Sequence, residues 1–142
     1  MFSILQCSKC EKNLSINNYH NEIEIVQLPL FNKNFEFSLM NESRFLEGAA
    51  LHSFSVDHDF KGKKFSINNK YKLIGISIDF LLENKVLLPP NYLKIDVDGI
   101  EHLIIEGADQ TLNSVQSILV EVNDKFKLQN DKINKKLTEK GF

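Results

Sequence analysis

The run Tyr92-Leu93-Lys94-Ile95-Asp96-Val97-Asp98-Gly99-Ile100-Glu101-His102 constrains this chain more than any other stretch. Leu93, Ile95 and Val97 alternate with Lys94, Asp96 and Asp98, the pattern of a strand with one apolar and one charged face. Alternate side chains on one strand face stand roughly 6.5 to 7 Å apart, so the charges form a column. A strand covered on both faces cannot hold such a column without pairing, because unpaired buried ions cost several kcal/mol each. A solvated edge strand would accommodate it with no function at all. The flanks favour another arrangement: Pro89-Pro90 precedes the run and an apolar helical pattern follows Gly99, which together read as strand, turn and helix in an α/β sheet. In such sheets ligands sit beyond the carboxyl ends of the strands, where Asp96 and Asp98 fall.

The chain has 142 residues, which is one domain with a modest core. A hydrophobic fraction of 42% with eleven Phe excludes a disordered chain. A formal charge of −2 carries no footprint for nucleic acid or an acidic membrane. No apolar run approaches the ~20 residues that span a bilayer. The start lacks a basic segment before its apolar residues, and Lys9, Glu11 and Lys12 follow closely, so the expected location is cytoplasmic. Cys7 and Cys10 form a lone C-x-x-C without the further ligands that zinc requires, and they read as neighbours on a helix.

A helix is expected over residues 2–16, then a turn cluster at 17–21 and a short strand at 23–28 ended by Pro29. Residues 35–39 and 51–56 both alternate, with Gly48 and Gly62 as breaks, which predicts antiparallel strands or a hairpin insertion. Residues 72–78 alternate again, and Ser77 or Asp79 is placed to cap a short helix over Phe80, Leu81 and Leu82. Beyond the central strand, Glu101, Ile104 and Ile105 share a helical face and Gly107 stands as a C′ residue. The apolar run 117–122 reads as a strand buried on both faces. Asp131 is placed to cap a last helix with Ile133 and Leu137 inward, stopped by Gly141. His102 and His20 read as surface residues, and Asp57-His58-Asp59 as a solvated loop.

Leu93-Lys94-Ile95-Asp96-Val97-Asp98-Gly99, Glu101 and Glu106-Gly107-Ala108 resemble the FkbM-type family of S-adenosylmethionine-dependent methyltransferases. Ser77-Ile78-Asp79, Ser117-Ile118-Leu119-Val120-Glu121 and the closing helix support the resemblance, which covers residues 73–142 most clearly. It implies an α/β fold, a partial Rossmann-like class I methyltransferase sheet with a β-rich antiparallel hairpin insertion before the fourth strand. Residues 92–97 would be that fourth strand and 117–122 the fifth. It also implies methyl transfer from S-adenosylmethionine, usually to a hydroxyl of a sugar, lipid or secondary-metabolite acceptor. The family's Gly-rich loop and acidic second-strand end have no counterpart here, since the six glycines never cluster. Residues 1–142 are therefore expected to be one such domain cut at both ends. The first strand of the family borders the fourth, so its absence would leave a gap in the sheet and invite self-association.

Within that resemblance Asp96 is expected to position or deprotonate the acceptor hydroxyl, with Lys94 paired to it and Glu101 facing the same cleft. A structural ion pair is the competing role for Lys94 and Asp96. Some O-methyltransferases hold a divalent cation at the ends of strands four and five, for which Asp96 or Asp98 with Glu121, Asn123 or Asp124 would be the oxygen ligands. Ile95-Asp96-Val97-Asp98-Gly99 also resembles the nucleophile motif of haloacid-dehalogenase-like phosphatases, but Ile100 replaces the Thr which that motif requires. A calcium loop fails as well, because its twelfth position, counted from Asp96, is Gly107 rather than Glu. The alternative to an enzyme is a catalytically silent fragment or binding module that keeps only the acceptor half.

Overall fold

The computed structural model describes residues 4–43 and 52–142. The Phe2 start of the expected first helix, the Gly48 break and Leu51 lie outside them. Helix α1 (Ile4–Asn17) leads through Asn18, at φ 59°, into an irregular segment. The strand expected over 23–28 does not form. Its continuation instead makes a single parallel bridge between Leu30 and Ile76, in which Phe31 N–H donates to the Ile76 carbonyl at 2.8 Å.

Three antiparallel strands follow, β1 (Glu36–Glu42), β2 (His52–Phe54) and β3 (Asn69–Gly75), in the order β2-β1-β3. The alternation at 35–39, 51–56 and 72–78 marks these strands, with registers such as Met40 opposite Phe54 and Leu39 opposite Lys72. At the end of β1 the buried Glu42 carboxylate accepts from the Tyr71 hydroxyl at 2.8 Å and the Asn69 amide at 3.1 Å. Burial first, and Glu42 second, push the Tyr71 phenol far above its ordinary pKa. Hydrogen bonds to a buried charge contribute about 1.5–3 kcal/mol, so Tyr71→Phe should destabilise the fold by an amount in that range and lower the urea midpoint accordingly. An unchanged midpoint would show that water replaces the hydroxyl.

Helix α2 (Ile78–Glu83) is capped by Ser77, whose Oγ accepts from Phe80 N–H at 3.1 Å. Asp79 does not cap it. Its carboxylate reaches across the fold to Gln110 N–H, Thr111 N–H and the Thr111 hydroxyl, capping the 3-10 turn Thr111–Asn113 instead. Strand β4 (Tyr92–Ile95) leads through Gly99 into α3 (Glu101–Glu106), and β5 (Ser117–Val120) leads into α4 (Lys127–Glu139). β4 and β5 pair in parallel, Leu93 opposite Ile118 and Ile95 opposite Val120. They form a two-stranded sheet separate from the antiparallel one, so the described residues give an α/β chain with two small sheets.

β5 is not buried on both faces: Ile118 and Val120 are half-buried, while Leu119 is 63% exposed. Among the described residues no element covers its outer side. Asp131 lies inside α4, whose N-cap is Phe126, and Ile133 is buried as expected. A shared core joins both sheets through Met40 and Phe54 on one side and Ile95, Ile104, Ile105 and Ile133 on the other. Phe31 and Phe54 meet edge to face at 5.3 Å over Gly75, where a Cβ would lie 2.8 Å from the Phe54 ring. No helix among the described residues is long and apolar enough to cross a membrane.

Candidate active site

The parallel register of β4 and β5 continues one step past the strands, where Glu121 N–H donates to the Ile95 carbonyl at 2.9 Å. This places Asp96 and Glu121 side by side at the carboxyl ends. Lys94 and Asp96, two apart on one strand face, form an ion pair with Nζ 2.7 Å from Oδ2. The pair is solvent-exposed, so its attraction is screened and adds little to stability. Its effect is on proton affinity. Lys94, and then Glu121, hold the Asp96 carboxyl below the ordinary carboxylate range, while Asp96 pushes Glu121 up. Of the two carboxylates, Glu121 is the stronger base.

Glu101, on the first turn of α3, is only 2% exposed. Its Oε2 accepts from the Gln129 amide at 2.5 Å, and its Oε1 from Gly99 N–H at 3.4 Å. Burial raises its pKa against these bonds. Gln129 is itself 1% exposed and reaches Glu101 because α4 packs along α3. Sequence reasoning did not select Gln129. A signal was available, since Gln129, Ile133 and Leu137 recur every four residues and so share the inward stripe. Gly99 has φ 103°, and a Cβ there would stand 2.8 Å from the Asp59 carbonyl. The 57–62 loop therefore closes directly over the β4–α3 turn. Asp59 is not merely solvated: its carboxylate accepts from Lys61 and Lys63 N–H at 2.8 and 2.9 Å, which holds the loop in shape.

Phe60 from that loop, Glu101, Gln129, and Glu121, Val122 and Asn123 beyond β5 line a cavity of about 60 Å³. The structure thus brings Glu101, Glu121 and Asn123 to one cavity beside the Lys94–Asp96 pair. Asp98 faces β2, where its carboxylate accepts from His52 N–H at 3.4 Å, and Asn123 Oδ1 accepts from Lys125 N–H at 3.0 Å. Among the described residues no three His, Cys, Asp or Glu side chains stand close enough to hold a metal ion. His102 is not on the surface: it is 5% exposed, its ring meets Phe126 edge-on, and burial pulls its pKa down.

A larger cavity of about 150 Å³ lies between the 26–30 segment, α2 and the β4–α3 turn. Val26, Leu28, Leu30, Leu81, Leu87, Val97, Ile100 and Ile104 line it, and it offers no side-chain hydrogen-bonding group.

The raised pKa of Glu101 gives a signed prediction. An acid whose folded pKa is raised contributes stability below its unfolded pKa and loses it as pH rises through the folded value. Glu101→Gln keeps the bond from Gln129 but removes the charge, so its urea midpoint should gain on that of the wild type as pH rises from acid to neutral. Parallel pH profiles for the two proteins would show that the carboxyl is not desolvated.

Residues 3–142 match the family model described as the Methyltransferase FkbM domain. No curated protein and no solved structure matches the chain.

Proposed function

From the premise that this chain belongs to the FkbM methyltransferase domain family, we propose that it transfers the methyl group of S-adenosylmethionine to a hydroxyl of a sugar, lipid or secondary-metabolite acceptor at the carboxyl ends of β4 and β5. Family membership supports methyl transfer as the activity class. The observation that carries the choice of site is the Lys94–Asp96–Glu121 row, where an ionised carboxylate adjoins a more basic one at the end of a parallel pair.

Methyl transfer to oxygen is a displacement in which the acceptor must be oriented and must lose its proton. Asp96 accepts the hydrogen bond of the incoming hydroxyl, which fixes the oxygen's lone pair. Lys94 holds the Asp96 rotamer. As the oxygen is alkylated its proton passes along that hydrogen bond to Asp96, and the adjoining Glu121, of higher proton affinity, takes it on. Glu101, buried and bonded to Gln129, shapes the adjoining cavity and binds the part of the acceptor that does not react. The methyl donor supplies the electrophilic carbon, and the described residues contribute acceptor binding, orientation and proton removal.

The aliphatic lining of the larger cavity favours a second reading, a binding module that keeps the acceptor site alone. Calorimetric titration of S-adenosylmethionine into the purified chain separates the two. Saturable heat supports the enzyme. The absence of both heat and a thermal shift, in a sample that still binds acceptor, supports the module. The open outer sides of β4 and β5 add a further proposal, self-association through unpaired strand edges, which sedimentation would detect.

A further inference from the structure

We propose that the cavity behind Glu101 anchors the acceptor through a positively charged amine. The proposal rests on the reading of this site as an acceptor site and names the class of acceptor.

The cavity, about 60 Å³, is lined by Phe60, Glu101, Glu121, Val122, Asn123 and Gln129. A single water needs roughly 10–15 Å³ on this scale, so the space admits a headgroup of a few heavy atoms. No basic side chain lines it. Glu101 in its lining is 98% removed from solvent, and every group bonded to its carboxylate is neutral: the Gln129 amide at 2.5 Å and backbone N–H groups, among them Gly99 at 3.4 Å. A buried carboxylate without a counter-charge is costly to keep ionised. Elsewhere in the structure carboxylates take lysine partners, Asp96 with Lys94 and Glu106 with Lys132. Among the described residues no lysine bonds to Glu101, which opens onto the cavity.

An alkylammonium entering the cavity would place its charge between Glu101 on the floor and Glu121 on the rim, with its carbon against Phe60 and Val122. Both carboxylates and the amide oxygens are acceptors, matching the three N–H donors of an ammonium. A carboxylate-bearing ligand would meet two like charges and be rejected. A neutral hydroxyl would bond but gain no charge pairing. Held as ammonium, the amine is not a nucleophile, so it anchors the molecule while a hydroxyl elsewhere on it reaches Asp96. Lys61 lies over the Phe60 ring, 4.9 Å from its centroid, and does not line the cavity.

The test uses the whole chain, labelled with nitrogen-15, and follows the side-chain amide resonances of Gln129 in two-dimensional NMR spectra. Methylammonium, acetate and methanol are added separately at equal ionic strength. Methylammonium should shift the Gln129 signals saturably in the millimolar range, whereas acetate and methanol should leave them in place. Glu101→Gln should abolish the response. Glu121→Gln, at an exposed rim position that folding does not depend on, should weaken it several-fold. A Gln129 signal indifferent to methylammonium overturns the proposal, as does an equal response to acetate or a full response in both variants. The titration contains no methyl donor, so its failure is distinct from a failure to transfer methyl groups.

Discussion

Asp96→Asn should reduce kcat/KM for methyl transfer by about 100-fold to 10⁴-fold, the range associated with losing a positioned proton-transfer group. It should leave the urea midpoint close to that of the wild type. Both halves follow from the same geometry. Asp96 is solvent-exposed and bonded to a flexible, exposed Lys94, so folding gains little from it. Asparagine keeps the size of the side chain but removes the charge that orients an incoming hydroxyl, and it dissolves the coupling that raises Glu121. Lys94→Met should fall between the two, because the Asp96 rotamer loses its anchor while the carboxylate remains. A variant with a lowered midpoint and unchanged turnover per folded molecule would make the ion pair structural.

Of glycine-to-alanine changes at the described glycines, Gly107→Ala meets the closest backbone contact and should be strongly destabilising. Gly107 ends α3 with φ −84°, a conformation open to any residue, so its glycine is not a left-handed C′ cap. The constraint is proximity. A Cβ at this position would stand 2.2 Å from the Phe31 carbonyl oxygen and 3.1 Å from Asn32 Cα, both of them backbone atoms. The Gly107 carbonyl also accepts from Asp79 N–H at 3.2 Å, so the residue is pinned on its other side. Relief requires moving the 29–32 segment off α3, which breaks the Leu30–Ile76 bridge and the Phe31–Phe54 contact. Overpacking of this kind costs about 3 kcal/mol, a large part of the 5–15 kcal/mol that holds a domain together. The urea midpoint should fall with an unchanged slope. A midpoint equal to the wild type would mean that the segment moves freely.

The elements around the site were legible because their signals are local. Alternation in residues 92–97, a glycine after Asp98 and the apolar positions of α3 are read within one short window, and the spacing of Lys94 and Asp96 sets their pairing. Ser77 was legible as a cap for the same reason, since it acts three residues away. What escaped depends on contacts distant in sequence. Asp79 finds its donors 31 and 32 residues on, at Gln110 and Thr111, and no short-range rule prefers them over its own helix. His102 and Gln129 are buried because α3 and α4 pack together, and a polar residue on a helix face is read as solvated unless that packing is known. β5 failed in the opposite sense. Its apolar run matches a strand covered on both faces, but coverage is supplied by other elements, and among the described residues none lies over Leu119. The hairpin strands were seen, yet the carboxylate they bury at Glu42 was not, because its partners come from β3.

Hydroxyl methylation at the carboxyl ends of β4 and β5 is tested most directly by where the methyl group goes. The chain would be incubated with methyl-labelled S-adenosylmethionine and an acceptor bearing both hydroxyl and amine groups, and the product fragmented by mass spectrometry. Label is expected on a hydroxyl oxygen and should be lost with Asp96→Asn. Label on nitrogen, or none in any product while the acceptor still binds, would contradict hydroxyl methylation at this site.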